Sequence, residues 1–161
     1  MTEKEMHSGA KRRNGSTCVI RPMTEADVPA VAELEAQIFS QPWSAQGFLD
    51  ALALSDTVFL TAEEEGQIAG YIGMYLSVDE GEITNVAVAP LMRRRGVGWE
   101  LLLEAKREAE RRGIARIVLE VRTSNEGAIA LYEKSGFSTV GIRKDFYECP
   151  KEDAYIMIYG Q

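Results

Sequence analysis

The sequence predicts an α/β (α+β) fold: a mixed, mostly antiparallel central sheet with a parallel β-α-β crossover in its middle and helices on both faces. Three observations predict it. Segments with strand and helix periodicity follow the order β-α-α-β-β-β-α-β-α-β-β. A strand–helix–strand unit in the middle requires a right-handed parallel crossover, whereas short turns elsewhere favour antiparallel pairs. The chain has 161 residues, 45% of them hydrophobic, which is enough for one packed domain.

The first half of the chain supplies three strands of the sheet after two helices and an opening strand. "CVIRPM" is the opening strand, and Thr24 begins a helix whose apolar stripe is interrupted only by Glu35. After the break at "SQPWS", Ser44 caps a second helix over "AQGFLDALAL". "TVFLTAEE" and "IAGYIGMYLSV" form a hairpin around "EEGQ", and "GEITNVAVAP" is a strand that stops at Pro90.

The second half contains the crossover helix and the closing strands. The helix begins near Gly98 and runs through Arg112, with Gly113 as its C-terminal cap. Its residues Leu102 and Ala105 are expected to face the core. "ARIVLEV" is a strand, "NEGAIALYEKSG" is a short helix, and "FSTVGIRKDFY" and "DAYIMIY" close the domain as an antiparallel pair.

Composition divides the chain into a tail and one domain. Residues 1–17 are polar, charged and poor in aromatics, which predicts a disordered tail, and residues 18–161 form a single domain. The formal net charge of -7 argues against direct binding to nucleic acid or to an anionic membrane. No apolar run is long enough to span a membrane, and the N-terminus has no signal-peptide segment. We therefore expect a cytoplasmic protein.

The scarcity of histidine narrows the chemistry. The only histidine, His7, lies in the polar tail, and the two cysteines match no metal spacing. A histidine-based triad, a histidine general base and a bound metal are therefore not expected.

The stretch "RRRGVGWELL" predicts an anion site. Gly96 and Gly98 allow positive φ and close approach of a ligand, and the free amides of the first helical turn attract a phosphate. The stretch lacks the Gly-Lys-Ser/Thr of a phosphate loop, and Leu101 stands where the dinucleotide fingerprint requires a third glycine. The alternative is a glycine turn with solvated arginines.

Two side chains in the second half are candidate acid–base groups. Glu120 interrupts the apolar strand "IVLEV" and points away from the face shared by its neighbours, so it lies either on a wet face or in a site. Tyr132, with a phenol pKa of about 10, can protonate a thiolate of pKa about 8.5 at little cost. The alternative is that Tyr132 only packs a short helix.

Several of these segments together resemble a known family. Arg93-x-x-Gly96-x-Gly98 after "TNVAV" resembles the coenzyme A motif of the GNAT acetyltransferases. "LEVRTSNEGAIALYEKSGF", "FSQPWS" and "KDFYECPKEDAYIMI" are similar to the ribosomal-protein-alanine N-acetyltransferases, the RimI type. The resemblance extends from about residue 18 to the C-terminus and implies the GNAT fold and acetyl-CoA as co-substrate.

The resemblance also implies the roles of individual residues. Glu120 falls at the family's proton acceptor and Tyr132 at its proton donor. The strand before the glycine turn is expected to carry a bulge and to part from the "ARIVLEV" strand. The implied coenzyme contacts are Val86, Ala87, Val88, Arg93, Arg94, Arg95, Gly96, Val97, Gly98, Trp99 and Asn125. From its position alone, Asn125 is also a helix cap.

The acceptor is expected to be the N-terminal amine of a protein. An α-amino group has a pKa of about 8, whereas a lysine amine costs about 3 kcal/mol more to deprotonate at pH 7. The resemblance indicates an N-terminal alanine of a basic ribosomal protein. Candidate acceptor contacts are Glu35, for a cationic residue, and Phe39, Trp43 and Tyr147, for the walls of the site. Phe39 and Trp43 are alternatively core residues.

Two rival functions stay open at this point. The same fold accepts other amines, such as a lysine side chain or a small molecule. A non-catalytic acyl-CoA sensor is the second rival, which the presence of both Glu120 and Tyr132 disfavours.

Overall fold

A computed structural model describes residues 10–11 and 17–160. The strands are β1 (Ala10–Lys11), β2 (Thr17–Pro22), β3 (Thr57–Glu64), β4 (Gln67–Leu76), β5 (Glu80–Val88), β6 (Arg116–Arg122), β7 (Ser138–Glu148) and β8 (Lys151–Gly160). The helices are α1 (Val28–Ile38), α2 (Ala45–Leu52), α3 (Val97–Arg111) and α4 (Glu126–Lys134). Short 3-10 turns precede α1 (Glu25–Asp27) and α3 (Pro90–Met92). The predicted element order is confirmed from β2 onward.

The N-terminal tail is described at two positions. Ala10 and Lys11 pair antiparallel with Cys18 and Thr17 at the edge of the sheet. The other residues before Thr17 lie outside the described part of the chain, so the disordered tail stays a prediction.

The strands form one mixed sheet in the order β1-β2-β3-β4-β5-β6-β8-β7. Within the described residues, β5 and β6 form the one parallel pair, and α3 is the crossover between them. The mixed, mostly antiparallel sheet is therefore confirmed. The sequence did not indicate that β8 would insert between β6 and β7.

Helices cover both faces of the sheet, as expected. One apolar cluster lies under α3 and α4 and includes Leu102, Ala105 and Tyr132. The other lies under α1 and α2 and includes Phe48 and Tyr71. Because apolar residues from both faces of the central strands are buried, the sheet is the middle layer of three.

Local signals explain where several elements begin and end. The Ser44 hydroxyl accepts a hydrogen bond from the Gly47 amide at 3.1 Å, which caps α2 as predicted. Glu65 and Gly66 both have positive φ, the geometry of a tight hairpin turn between β3 and β4. Gly113 has φ +76 just past α3 and ends that helix.

No helix in the described residues is long and apolar enough to cross a membrane.

Candidate active site

The site is an opening in the sheet between β5 and β6. Their parallel pairing ends at Ile83 and Leu119. On the other side of β5, Ile83 pairs with Met74 and Asn85 with Gly73, so Thr84 is an extra, bulged residue. The two strands then separate, and a cleft of about 440 Å³ lies at the separation. The expected bulge and separation of this strand are confirmed.

The cleft brings together side chains that are distant in the sequence. It is lined by part of the predicted coenzyme, acid–base and acceptor set: Glu35, Phe39, Trp43, Val86, Glu120, Asn125, Tyr132 and Tyr147. The other predicted residues do not line it but continue along β5, the turn before α3 and the first turn of α3: Ala87, Val88, Arg93, Arg94, Arg95, Gly96, Val97, Gly98 and Trp99.

Glu120 reaches the cleft because β6 alternates its side chains. Ile117, Leu119 and Val121 are buried under α3 and α4, so Glu120 points to the opposite face. Its side chain is 13% exposed and its Oε2 lies 3.1 Å from Nε of Arg143. Burial and the nearby charge of Glu82 raise the pKa of Glu120 above its ordinary value, and Arg143 opposes them. A carboxylate with a raised pKa is a stronger base than one in water.

Tyr132 lies on α4, buried beneath the cleft against Phe137. Burial, with a smaller contribution from Tyr147, raises the pKa of its phenol. The phenol therefore stays neutral, and it is a weaker acid than a tyrosine in water. The pKa of a thiol in the same apolar surroundings would also be raised, which keeps the pKa of the phenol and that of the leaving thiol closer together.

Asn125, just before α4, and Tyr147, on β7, both border the cleft. The Asn125 side chain accepts a hydrogen bond from the Ala128 amide at 3.2 Å, which confirms it as the cap of α4. Tyr147 lies on β7 with the Arg122 guanidinium 4.2 Å from its ring centroid. Burial raises the pKa of Tyr147, so its phenol is neutral at physiological pH.

Glu35 is buried and engaged by other groups. One oxygen accepts a short hydrogen bond from the Tyr71 hydroxyl, and the other accepts from the Trp43 amide at 3.1 Å. Asn85 in turn donates to the Tyr71 hydroxyl at 3.4 Å. Glu35 therefore fixes the segment between α1 and α2 against the bulged strand, and both of its oxygens already accept hydrogen bonds. Its contact with a cationic residue of the acceptor stays a prediction.

The segment between α1 and α2 forms one wall of the cleft. Trp43 packs against Phe48 and Phe59, with ring centroids 5.2 and 6.1 Å apart, and also lines the cleft. Phe39 is exposed and lines the same side. Both alternatives for Trp43 thus hold, since one part of its ring belongs to the core and another to the cleft.

Two loops meet over one side of the cleft. Ser40, which follows α1, donates a short hydrogen bond to the Cys149 carbonyl in the β7–β8 turn. Arg122 at the end of β6 donates to the Pro150 carbonyl at 2.9 Å and to Glu152 at 3.1 Å, which ties that turn to the sheet. The Cys149–Pro150 peptide bond is cis. The two loops therefore touch across this side of the cleft.

The glycine turn has the backbone expected of an anion site. Arg94 and Gly96 have φ of +62 and +84, and α3 begins at Val97. The first amides of a helix have no carbonyl partner within it, and the helix dipole is positive there. Trp99 is exposed beside this turn.

The arginines of the turn are partly engaged by the protein. Arg93 donates from Nε to the Val88 carbonyl at 3.2 Å, and Arg95 lies 4.0 Å from Glu64. These contacts fix the turn at the end of β5. Arg94 is exposed.

Gly98 requires a correction. It lies within α3 without positive φ, and a Cβ there would lie 3.0 Å from Cδ2 of Leu131 on α4. The absence of a side chain at this position therefore permits close packing of α3 and α4. Gly96 has the positive φ that was expected, whereas Gly98 lacks it. Contact of either glycine with the coenzyme stays a prediction.

Three residues of the site were missed from the sequence. Asn85 is a lone polar residue inside "ITNVAV", a signal that could have been noticed. Arg122, at the end of β6, and Arg143, in the middle of β7, carry no such signal, because charged residues are ordinarily solvated. Their contacts depend on which strands become neighbours.

Comparison with known proteins agrees with this geometry. The family model for the acetyltransferase (GNAT) family matches residues 28–137. The chain belongs to the GNAT acetyltransferase family. It is therefore an N-acetyltransferase, and the GNAT fold predicted from the sequence is confirmed.

Individual relatives are similar over most of their length. The N-alpha-acetyltransferase RimI of Mycobacterium tuberculosis is 38% identical over 144 residues, covering 86% of this chain and 89% of the relative. The [ribosomal protein bS18]-alanine N-acetyltransferase of Escherichia coli K12 is 36% identical over 140 residues, covering 86% and 94%. The crystal structure of the Escherichia coli ribosomal-protein-S18-alanine N-acetyltransferase superposes with a TM-score of 0.82 at 34% identity, covering 89% of this chain and 93% of that one.

Proposed function

We propose that this GNAT acetyltransferase transfers the acetyl group of acetyl-CoA to the N-terminal α-amino group of a protein, with the N-terminal alanine of a ribosomal protein as acceptor. One observation carries the proposal. A single cleft, at the point where β5 and β6 separate, contains a carboxylate of raised pKa, Glu120, and a neutral buried phenol, Tyr132. These are the proton acceptor and proton donor that acetyl transfer to an amine needs.

The coenzyme is placed along β5 and the turn that follows it. Beyond Ile83, the edge of β5 that faces β6 has no strand partner among the described residues, which leaves backbone groups of Val86, Ala87 and Val88 for the pantetheine arm. The positive-φ turn at Gly96 and the first amides of α3, from Val97 to Trp99, then receive the diphosphate. Arg94 adds positive charge beside it.

The chemistry follows from the two acid–base groups. Glu120 takes a proton from the acceptor's ammonium group, and the neutral amine attacks the thioester carbonyl. The new C–N bond forms as the C–S bond breaks, and the departing thiolate receives the proton of Tyr132. The acylated nitrogen then gives up its second proton, which restores the Tyr132 phenol, so that the products are the amide, the CoA thiol and protonated Glu120. Because Glu120 and Tyr132 both border one cleft, both proton transfers occur over short paths.

An α-amino acceptor is favoured over lysine by energy and by shape. Glu120 is one carboxylate, and an α-amine is about 3 kcal/mol easier to deprotonate at pH 7 than a lysine amine. Contact between the loops at Ser40 and Cys149 supports entry of a chain end. The relatives named above act, by their names, on the N-terminal amine or on the alanine of ribosomal protein bS18.

Apolar and neutral walls suit a small first residue. The acceptor's path is bordered by Phe39, Trp43 and Tyr147. None of these three side chains is charged, so the acceptor amine interacts with the carboxylate of Glu120. Glu35 supports this wall through the Trp43 amide.

The experiment compares matched peptides. The enzyme is incubated with acetyl-CoA and one of three short basic peptides: one with a free N-terminal alanine, one with that amine blocked and an internal lysine, and one with neither. We expect CoA release and an acetyl group on the α-amine, located by mass spectrometry, with the first peptide only. Acetylation of the internal lysine would instead assign the rival function on another amine, and tight acetyl-CoA binding without turnover would assign a sensor.

A further inference from the structure

Arg143 reaches Glu120 across an intervening strand. Glu120 on β6 pairs with Ile156 on β8, and Ile156 pairs with Gly141 on β7, two residues before Arg143. Side chains two residues apart on a strand share a face, so Arg143 and Glu120 lie on the same side of the sheet. The residue opposite Arg143 on β8 is Ala154, whose methyl group leaves room for the guanidinium to lie across β8.

The Arg143 guanidinium is one of several ionisable groups around Glu120. Glu82 on β5 repels its charge, and Tyr147 on β7 interacts with it electrostatically. Arg122, the other guanidinium near this part of the sheet, is engaged by Glu152 and by the β7–β8 turn. From the other elements around the cleft, α1 contributes Glu35 and α4 contributes Tyr132.

The balance of these groups decides the state of Glu120. Its side chain is only 13% exposed and the charge of Glu82 repels its own, so loss of the counter-ion would raise the pKa of Glu120 further. A protonated Glu120 cannot accept a proton. The guanidinium of Arg143, at 3.1 Å, is the contact that opposes this, and it engages one carboxylate oxygen, Oε2.

We propose that Arg143 is a positioning residue of this enzyme: its ion pair with Glu120 holds that carboxylate ionised and oriented in the cleft. The role of Arg143 in catalysis rests on the proposed function, because Glu120 is the base in that reaction. Arg143 itself is 56% exposed and does not line the cleft, so it acts through Glu120 and not on the reacting atoms.

The direct test is titration of the Glu120 side-chain carboxyl by 13C NMR in the full-length protein. Arg143→Gln removes the charge, and we expect the titration midpoint of Glu120 to move to higher pH. Arg143→Lys keeps a charge and should restore most of the wild-type midpoint. Arg116→Gln is the matched control, since it breaks an exposed ion pair with Glu80 at the far end of β6. A midpoint in Arg143→Gln equal to those of the wild type and the control overturns the inference.

A rate measurement gives the second readout. In Arg143→Gln, the acid limb of kcat/KM for the alanine peptide should move to higher pH in step with the NMR midpoint, a tenfold loss on the acid side for each pH unit. The plateau at higher pH should be retained. An equal loss at every pH, with the limb unmoved, would mean that Arg143 is only structural.

The two proposals fail in different ways. The NMR midpoint depends on the ion pair and needs no turnover, so it tests Arg143 even if the acceptor is wrong. If the Arg143 variants shift the midpoint but the peptide carries no acetyl group, the proposed function fails and the inferred ion pair stands.

Discussion

Glu120 is the first residue of β6 beyond its pairing with β5, where the sheet opens. Its neighbours Leu119 and Val121 are buried, and Leu119, directly before it, is still paired with β5. A glutamate at position 116, four residues earlier, would lie at the exposed beginning of β6. At the scale of the residue, the reactivity of Glu120 comes from its burial and from the charges of Glu82 and Arg143.

Replacing Glu120 by Gln should separate catalysis from binding. General-base catalysis contributes about 10²–10⁴-fold, so we expect kcat to fall by about 10²-fold or more while the Kd of acetyl-CoA changes little. Turnover is measured by CoA release and affinity by calorimetry. Glu133→Gln, an exposed change on α4, is the matched control and should leave both unchanged. A collapse of acetyl-CoA affinity in Glu120→Gln would make Glu120 a structural residue.

The pH dependence of the reaction follows from the raised pKa of Glu120. Because the ionised form is the base, activity is lost as pH falls through a midpoint that lies above the ordinary value of 4.5. We expect the acid limb of kcat/KM above that value. The same shift means that the ionised carboxylate disfavours folding at neutral pH, and that this cost disappears as pH falls below the folded pKa. An acid limb at or below 4.5 contradicts the assignment of Glu120 as base.

At the scale of elements, the packing of α3 against α4 constrains the residues of the glycine turn. α3 must begin close to the end of β5 for its first amides to face the gap between β5 and β6. α4 packs through Leu131 against the first turn of α3, at Gly98. Gly96 supplies the positive φ and Gly98 the close contact between helices. The two glycines of the motif therefore have different physical reasons.

Replacing Gly98 by Val should destabilise the domain. Its Cβ would lie 3.0 Å from Leu131, and overpacking of this kind costs about 1–3 kcal/mol in the free energy of unfolding. Urea unfolding measures it. The control is Gly127→Val on α4, where a Cβ meets no atom within 4 Å and where Val forms helix better than Gly. Equal free energies of unfolding for Gly98→Val and Gly127→Val would show that the contact between α3 and α4 accommodates the added side chain without cost.

The charge of the whole molecule bears on its acceptor. A net charge of -7 attracts a basic peptide, and salt screens that attraction. We expect kcat/KM for a basic alanine peptide to fall several-fold as NaCl is raised, while an uncharged alanine peptide is little affected. Steady-state assays at constant pH measure both. A parallel fall with the two peptides would place the salt effect on the coenzyme or on the fold.

At this scale, much of the fold was predictable and part of the site was not. The hairpin at Glu65–Gly66, the cap at Ser44 and the alternation around Glu120 are local signals, and each is confirmed. The resemblance also indicated the bulge and the separation of β5 from β6. The engagement of Glu35 by Tyr71 and Trp43 was missed, because it joins residues from separate elements.

The sequence alone determined the order and type of the elements from Cys18 onward and the glycine turn, because periodicity, caps and turns depend on residues within a few positions of one another. The candidate acid–base pair came from the resemblance to the GNAT family. Only the tertiary structure decided that β8 lies between β6 and β7, and so that Arg143 meets Glu120. Strand neighbours distant in sequence are selected by burial of both faces of the sheet together, and no local pattern specifies that choice.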